Sequence, residues 1–146
     1  MLRFLAQCTL WEPKPYSVYL YTADFTPQQE TAWNALLETP LHGHACECET
    51  SMVLACRPEL VHMERVPETP ANPLQCMKQV PNAFAGISWY ADYPDHYAGD
   101  ARPATAEKGQ ALREIIVSAF ADFIEAVKRD AVVPGLEQEF FQHTKW

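Results

Sequence analysis

The strongest hydrophobic pattern lies toward the C-terminal end of the chain. Leu112, Ile115, Ile116, Ala119, Phe120, Phe123, Ile124 and Val127 recur at spacings of three and four, while Arg113, Glu114, Asp122, Glu125 and Lys128 fill the other side. This pattern predicts an amphipathic helix that starts near Thr105 or Ala106 and ends by Arg129. Residues 16–22, Tyr-Ser-Val-Tyr-Leu-Tyr-Thr, carry aromatic and β-branched side chains on both faces and read as a buried strand. Pro13 and Pro15 end whatever precedes it. Thr26 followed by Pro27, with Glu30 nearby, marks a helix start, because the hydroxyl can cap and the proline suits the first turn. Trp33, Leu36 and Leu37 give that helix an apolar side. A second helix is expected to begin near Cys46 or Cys48 and to stop around Arg57, ahead of Pro58. Glu49, Met52, Val53 and Cys56 would share its inner stripe. A carboxylate heading an apolar stripe is unusual, since burying one unpaired is costly.

Residues 66–105 are rich in proline and aromatics and show little periodicity. A span of about forty residues is long for a plain loop in a compact domain, so it reads as an ordered excursion. A weaker strand is expected within residues 60–66 or 85–90, and residues 137–146 are of uncertain order. A strand apolar on both faces needs parallel neighbours and covering layers on both sides. One such strand with three helices predicts an α/β fold that forms half of a larger domain.

Composition narrows the class of protein. The 146 residues are 48% hydrophobic and 21% charged, ordinary for a folded domain, with a formal net charge of -8. An acidic chain with no basic patch disfavours a nucleic-acid partner. No apolar run is long enough for a membrane span, and the first ten residues are too broken by polar side chains to read as a targeting segment. Five cysteines (Cys8, Cys46, Cys48, Cys56 and Cys76), odd in number and mostly in apolar or helical contexts, read as reduced thiols of a cytoplasmic protein.

The chemistry concentrates in residues 42–51, His-Gly-His-Ala-Cys-Glu-Cys-Glu-Thr-Ser. His42, His44, Cys46, Glu47, Cys48 and Glu49 are all possible metal ligands. A self-contained zinc site is disfavoured on two counts: there is no second Cys/His pair at zinc-finger spacing, and helical geometry would point Cys46 and Cys48 away from each other. A catalytic alternative uses His44 and Glu49. A histidine just before a helix, with a carboxylate five residues on, can form an imidazole–carboxylate pair that passes a proton to a leaving nitrogen. The same two residues also fit a satisfied structural pair.

The run from His44 through Glu49-Thr50-Ser51 to Pro58-Glu-Leu60-Val61 resembles the signature of the creatininase (creatinine amidohydrolase) family: a histidine, four residues, Glu-Thr-Ser, an apolar helix, then Pro-x-Leu-Val. Arg102-Pro-Ala-Thr-Ala-Glu-Lys-Gly109 with the helix after it, and residues 17–25, are similar to other segments of that family in the same order. The resemblance covers roughly residues 15–130. It implies a three-layer α/β/α domain, usually assembled as a hexamer, that binds two divalent metals, zinc or manganese, and hydrolyses small, often cyclic, amides. His44 then matches the histidine that assists proton transfer, and Glu49 the glutamate that orients it. The metal ligands of that family come mainly from its N-terminal half, as a Glu-x-His pair, an aspartate and an Asn-Gly-His segment. None of these motifs occurs here.

Two positions that match substrate-side tryptophans of creatininase read Ala23 and Pro40, which argues against creatinine itself as substrate. His42 and Glu47 have no role in the resemblance and are read as local. Trp89, Tyr90, Asp92, Tyr93, His96 and Tyr97 form a polar-aromatic cluster that suits either a pocket wall or packing. The expectation is therefore a C-terminal portion of a creatininase-like amidohydrolase spanning residues 1–146 and incomplete by itself. It would hold no metal within this chain alone and no membrane or nucleic-acid partner. It is a truncated gene product or a fragment of a longer protein and inactive alone; the alternatives are a subunit that completes an active enzyme with a separate N-terminal half, and a non-catalytic structural or binding subunit.

Overall fold

Thr26 opens the first well-capped element. In this computed structural model, which describes residues 2–22 and 24–144, the Thr26 hydroxyl accepts from the Gln29 amide at 3.2 Å. The Gln29 side chain in turn accepts from the Thr26 amide at 2.9 Å. This reciprocal capping box, with Pro27 in the first turn, starts helix α2, Pro27–Leu36. Helix α1, Leu2–Gln7, precedes it. Helix α3 is Glu47–Cys56, α4 is Ser88–Asp92, α5 is Ala106–Arg129 and α6 is Val132–His143. The described residues fall into two compact units, Met1–Phe25 with Val117–Trp146, and Thr26–Ile116.

The larger unit carries the sheet. Strand β1, His42–His44, pairs antiparallel with β2, Ala98–Gly99, matching His42 to Gly99 and His44 to Ala98. Ala71 bridges to Gly99 on the way. Two small residues make this pairing possible. A Cβ on Gly43 would lie 2.6 Å from both Cβ and the carbonyl oxygen of Ala98, and Gly99 sits at φ +114° with its missing Cβ aimed at Cys46. Cys46, Cys48 and Leu112 form the buried core of this unit, with Trp33, Leu36, Leu37 and Met52 packed against them.

Helix α3 buries Glu47, Cys48 and Ser51, not the stripe of Glu49, Met52, Val53 and Cys56 that hydrophobicity suggests. The reason is Glu47, which is fully buried. It accepts from the Glu38 amide (2.9 Å), the Thr39 amide and hydroxyl (both 2.8 Å), and Lys108 Nζ (2.6 Å). Lys108 also donates to Glu38 at 2.5 Å and to the Pro103 carbonyl at 2.9 Å. A carboxylate with four donors, one of them a cation, is no longer costly to bury. The end of α2, the start of α3 and the start of α5 thus meet on one ion pair.

Burial raises the Glu47 carboxyl, but Lys108, Thr39 and the two amides outweigh it and hold the group below its usual range. Burial lowers Lys108, and its two glutamates outweigh that and raise it. The Glu47 contribution is therefore present above the ordinary carboxylate range and lost as pH falls through its lowered folded value. The Lys108 contribution is complete below the ordinary lysine range and lost only as pH rises through its raised one. Urea midpoints are expected to fall as the pH drops below about 4.3, where the Glu47 contribution is lost. The Glu47→Gln chain should lose part of that acid slope. Parallel acid curves for the two chains would show that Glu47 is not its source.

In the smaller unit, residues 16–22 form no strand and join no ladder among the described residues, which corrects the expected buried strand. A strand needs a neighbour to take its N–H and C=O groups, and here the segment is held by side chains instead. Ser17 donates to Glu137 at 2.5 Å and Tyr19 to Asp130 at 2.6 Å, while the Tyr21 ring packs 4.9 Å from that of Phe123 and 5.1 Å from that of Phe120. Asp130 also accepts from the Val132 and Val133 amides at the head of α6.

Other expectations change as well. Residues 60–66 hold 3-10 turns rather than a strand (Pro58–Leu60 and Met63–Arg65), and residues 85–90 run into α4. The part of residues 137–146 that is described is helical as far as His143. The sheet is antiparallel, not parallel. Helix α5 falls where its periodicity places it, but Phe120 and Ile124 remain 44% and 38% exposed, so its apolar stripe is only partly covered. No helix among the described residues is long and apolar enough to cross a membrane.

Candidate active site

Three consecutive backbone states build the site. His44 ends β1, Ala45 turns through the left-handed region at φ +53°, and Cys46 is extended (φ -78°, ψ -174°) as the residue that caps α3. A non-glycine left-handed residue costs about 1–2 kcal/mol and needs holding. Glu49, in the first turn of α3, reaches back to accept from the Ala45 amide at 2.6 Å, and the Thr50 hydroxyl donates to the Ala45 carbonyl at 3.0 Å. The Ser51 side chain lies on the buried face and accepts from the Thr105 amide at 3.1 Å, tying α3 to the start of α5. Glu49 and Thr50 therefore anchor the turn that presents His44, and Ser51 anchors the helix behind it to α5.

His44 Nδ1 lies 3.4 Å from Glu49 Oε2, an ion-pair distance slightly longer than a hydrogen bond. The two side chains are 59% and 44% exposed, so the pair faces an open surface. The Trp89 ring stands nearly perpendicular to the imidazole, with ring centroids 6.3 Å apart, and lies tilted against Tyr93 at 4.9 Å. The rest of the polar-aromatic cluster divides. Asp92, Tyr93 and Tyr97 line a cavity of about 380 Å³ with Pro67, Pro70 and Leu74. The Asp92 carboxylate accepts from the Gln75 amide at 2.7 Å, and the Tyr97 hydroxyl accepts from the Ala101 amide at 2.7 Å. Tyr90 is exposed, and His96 sits at φ +60°. Pro40 lies between α2 and β1, while Ala23 is outside the described residues.

The thiols depart most from the expected geometry. Cys46 Sγ and Cys48 Sγ are 3.3 Å apart, not turned away from each other, because Cys46 is extended and only Cys48 is helical. Both are buried, and all five cysteines are free. The hydrogen bond from Cys48 holds the Cys46 thiol well below its usual range, aided by the amides of Glu49 and Cys48 against burial. The same contact, followed by burial, pushes Cys48 up. The pair therefore carries a single shared negative charge readily and a second one only with a further cation. His42, with its exposed side chain, completes a three-donor cluster in which the imidazole nitrogen and both sulfurs lie within 4.8 Å of one another.

The profile of the family described as creatinine amidohydrolase matches residues 6–124 of the chain. No curated protein matches it. Among solved structures, it is similar to a Bacteroides fragilis protein proposed to be a creatinine amidohydrolase, with a TM-score of 0.63 and 21% sequence identity. At that identity the likeness is one of fold. The match covers 100% of this chain and 51% of the other, so the chain spans about half the length of that structure.

Proposed function

This chain belongs to the creatininase (creatinine amidohydrolase) family, and we propose on that footing that it is the C-terminal, substrate-side part of an amidohydrolase acting on small amides or cyclic amides. The observation that carries this reading is the His44–Glu49 pair, held at 3.4 Å on an anchored turn and open to the surface. In the neutral imidazole, a proton on Nδ1 faces Glu49 and leaves Nε2 to accept one. In the imidazolium, Nε2 donates to the leaving nitrogen, while Glu49 stabilises the charge and fixes the ring. Trp89, part-exposed and with its ring centroid 6.3 Å from that of His44, gives a small planar substrate an aromatic neighbour to lie against.

The two divalent metals of the family, zinc or manganese, do not fit the donors of this chain. Among the described residues the three-donor cluster is His42, Cys46 and Cys48, a thiol-rich set unlike the carboxylate and imidazole ligands implied by the resemblance. In this reading the metal-bearing half of the three-layer α/β/α domain lies outside this chain, on a separately encoded partner or a longer polypeptide. Exposed Val117, Phe120, Ile124 and Leu136 supply apolar surface for it to cover. The family's hexamer would form around the completed domain.

Co-expression with the metal-bearing first half of a family member tests the roles. Hydrolysis of small cyclic amides is expected to appear in the complex. His44→Ala should lower kcat at least about 100-fold with KM and bound metal little changed. Glu49→Gln should shift the pH profile of kcat. Full activity of the His44→Ala complex would remove the proton-transfer role.

A further inference from the structure

His42, Cys46 and Cys48 have no part in the proton-transfer scheme. They are nevertheless the most concentrated set of unused ligating atoms among the described residues. We propose that they bind one thiophilic divalent cation, zinc in the first instance, which staples β1 to the head of α3.

The donor set is the first argument. Two thiols and an imidazole are the ligands zinc prefers, and they converge here within 4.8 Å. Two thiolates at 2.3 Å from a tetrahedral zinc stand about 3.8 Å apart, so the observed 3.3 Å needs to open by about half an ångström. The imidazole closes from the solvent side, where the His42 side chain has room to move. Backbone placement is the second argument. The extended state of Cys46 is what turns its sulfur toward that of Cys48, and Gly99 leaves no side chain against the Cys46 Cβ.

Charge is the third. Zinc displaces the proton that remains on the pair, so that both sulfurs become thiolates, and the resulting centre is neutral, which suits its place beside Leu112 in the core. Three protein ligands leave a fourth position open on the His42 side for water or an external donor. The ion would span the left-handed turn at Ala45 and so stiffen the segment that carries His44 and Glu49. This proposal stands independently of the amidohydrolase reading. A disulfide is the competing use of the same sulfurs. It would leave His42 without a role and requires the sulfurs to close to about 2.0 Å.

The full-length chain, stripped with chelator under reductant, is titrated with zinc and then with cobalt. One ion per chain is expected, with a thiolate-to-cobalt charge-transfer band that is absent from the Cys48→Ser chain. The exposed position of His42 makes His42→Ala a variant that should fold, and it should weaken zinc binding at least about 100-fold. Cys76→Ser, an exposed cysteine elsewhere, should bind as the parent does. Four results would overturn the proposal: no stoichiometric uptake; binding without the charge-transfer band; binding indifferent to both His42→Ala and Cys48→Ser; or two thiols lost to a Cys46–Cys48 disulfide in a chain that takes up no metal when reduced.

Discussion

Replacing Glu47 by alanine is expected to lower the unfolding free energy by about 3–5 kcal/mol, the range for removing one partner of a buried ion pair. The carboxylate is fully buried, and its loss strands the Glu38 and Thr39 amides and the Thr39 hydroxyl together. Lys108 would keep Glu38 and the Pro103 carbonyl, but its buried side would face an apolar gap. Against a typical stability of about 5–15 kcal/mol, a loss of that size unfolds an appreciable fraction of the chain. Glu47→Gln should cost less, because one amide oxygen still accepts while its NH2 opposes donors. Lys108→Met in the Glu47→Gln background should cost less than the sum of the single changes, since the two share one interaction. Urea midpoints measure all three. A Glu47→Ala chain within about 1 kcal/mol of the parent would mean that the three helices do not depend on this contact.

Gly109→Ala reverses the sign that helix propensity predicts. In an exposed helix interior alanine is better than glycine by about 0.8–1.0 kcal/mol. Here a Cβ on Gly109 would lie 1.8 Å from the Ser51 carbonyl oxygen, 2.3 Å from its carbon and 2.8 Å from the Met52 nitrogen. These are backbone atoms in the middle of α3, so no side-chain rotation relieves the clash. Helix α5 would have to withdraw from α3, breaking the Ser51–Thr105 bond and stretching Lys108 from Glu47. Overpacking of this kind costs about 1–3 kcal/mol and occasionally more, and a backbone-on-backbone contact belongs at the upper end. Thermal or urea unfolding that finds the alanine chain more stable than the parent would contradict the close helix crossing.

Elements that depend on local chemistry could be read from the chain. Helix α5 shows a three-and-four periodicity from Leu112 to Val127, over about four turns, α2 begins with Thr26-Pro27, and α3 stops before Pro58. Elements that depend on a partner could not. Residues 16–22 have the side chains of a strand, but no neighbour among the described residues takes their backbone hydrogen bonds. Conversely, His42-Gly43-His44 has no strand propensity, and becomes β1 because Gly43 lets Ala98 approach.

The buried face of α3 was misjudged because a hydrophobicity pattern penalises a carboxylate without knowing that four donors will meet it. A rise from Glu47 to Ser51, four residues apart, was the available clue. His44 and Glu49 were legible through their five-residue spacing and the Glu-Thr-Ser run. The approach of Cys46 and Cys48 was not, because it turns on one extended residue that helical spacing arguments treat as helical.

As proposed above, this chain contributes the proton-handling side of an amidohydrolase whose dinuclear metal centre lies elsewhere. The most direct test is to assay the purified chain alone, with saturating zinc or manganese, for hydrolysis of creatinine and small cyclic amides, and to count its bound metal. No hydrolysis is expected, and no more than one ion per chain, held by thiolate. Turnover by the chain alone, with two divalent ions bound per chain, would contradict the proposal.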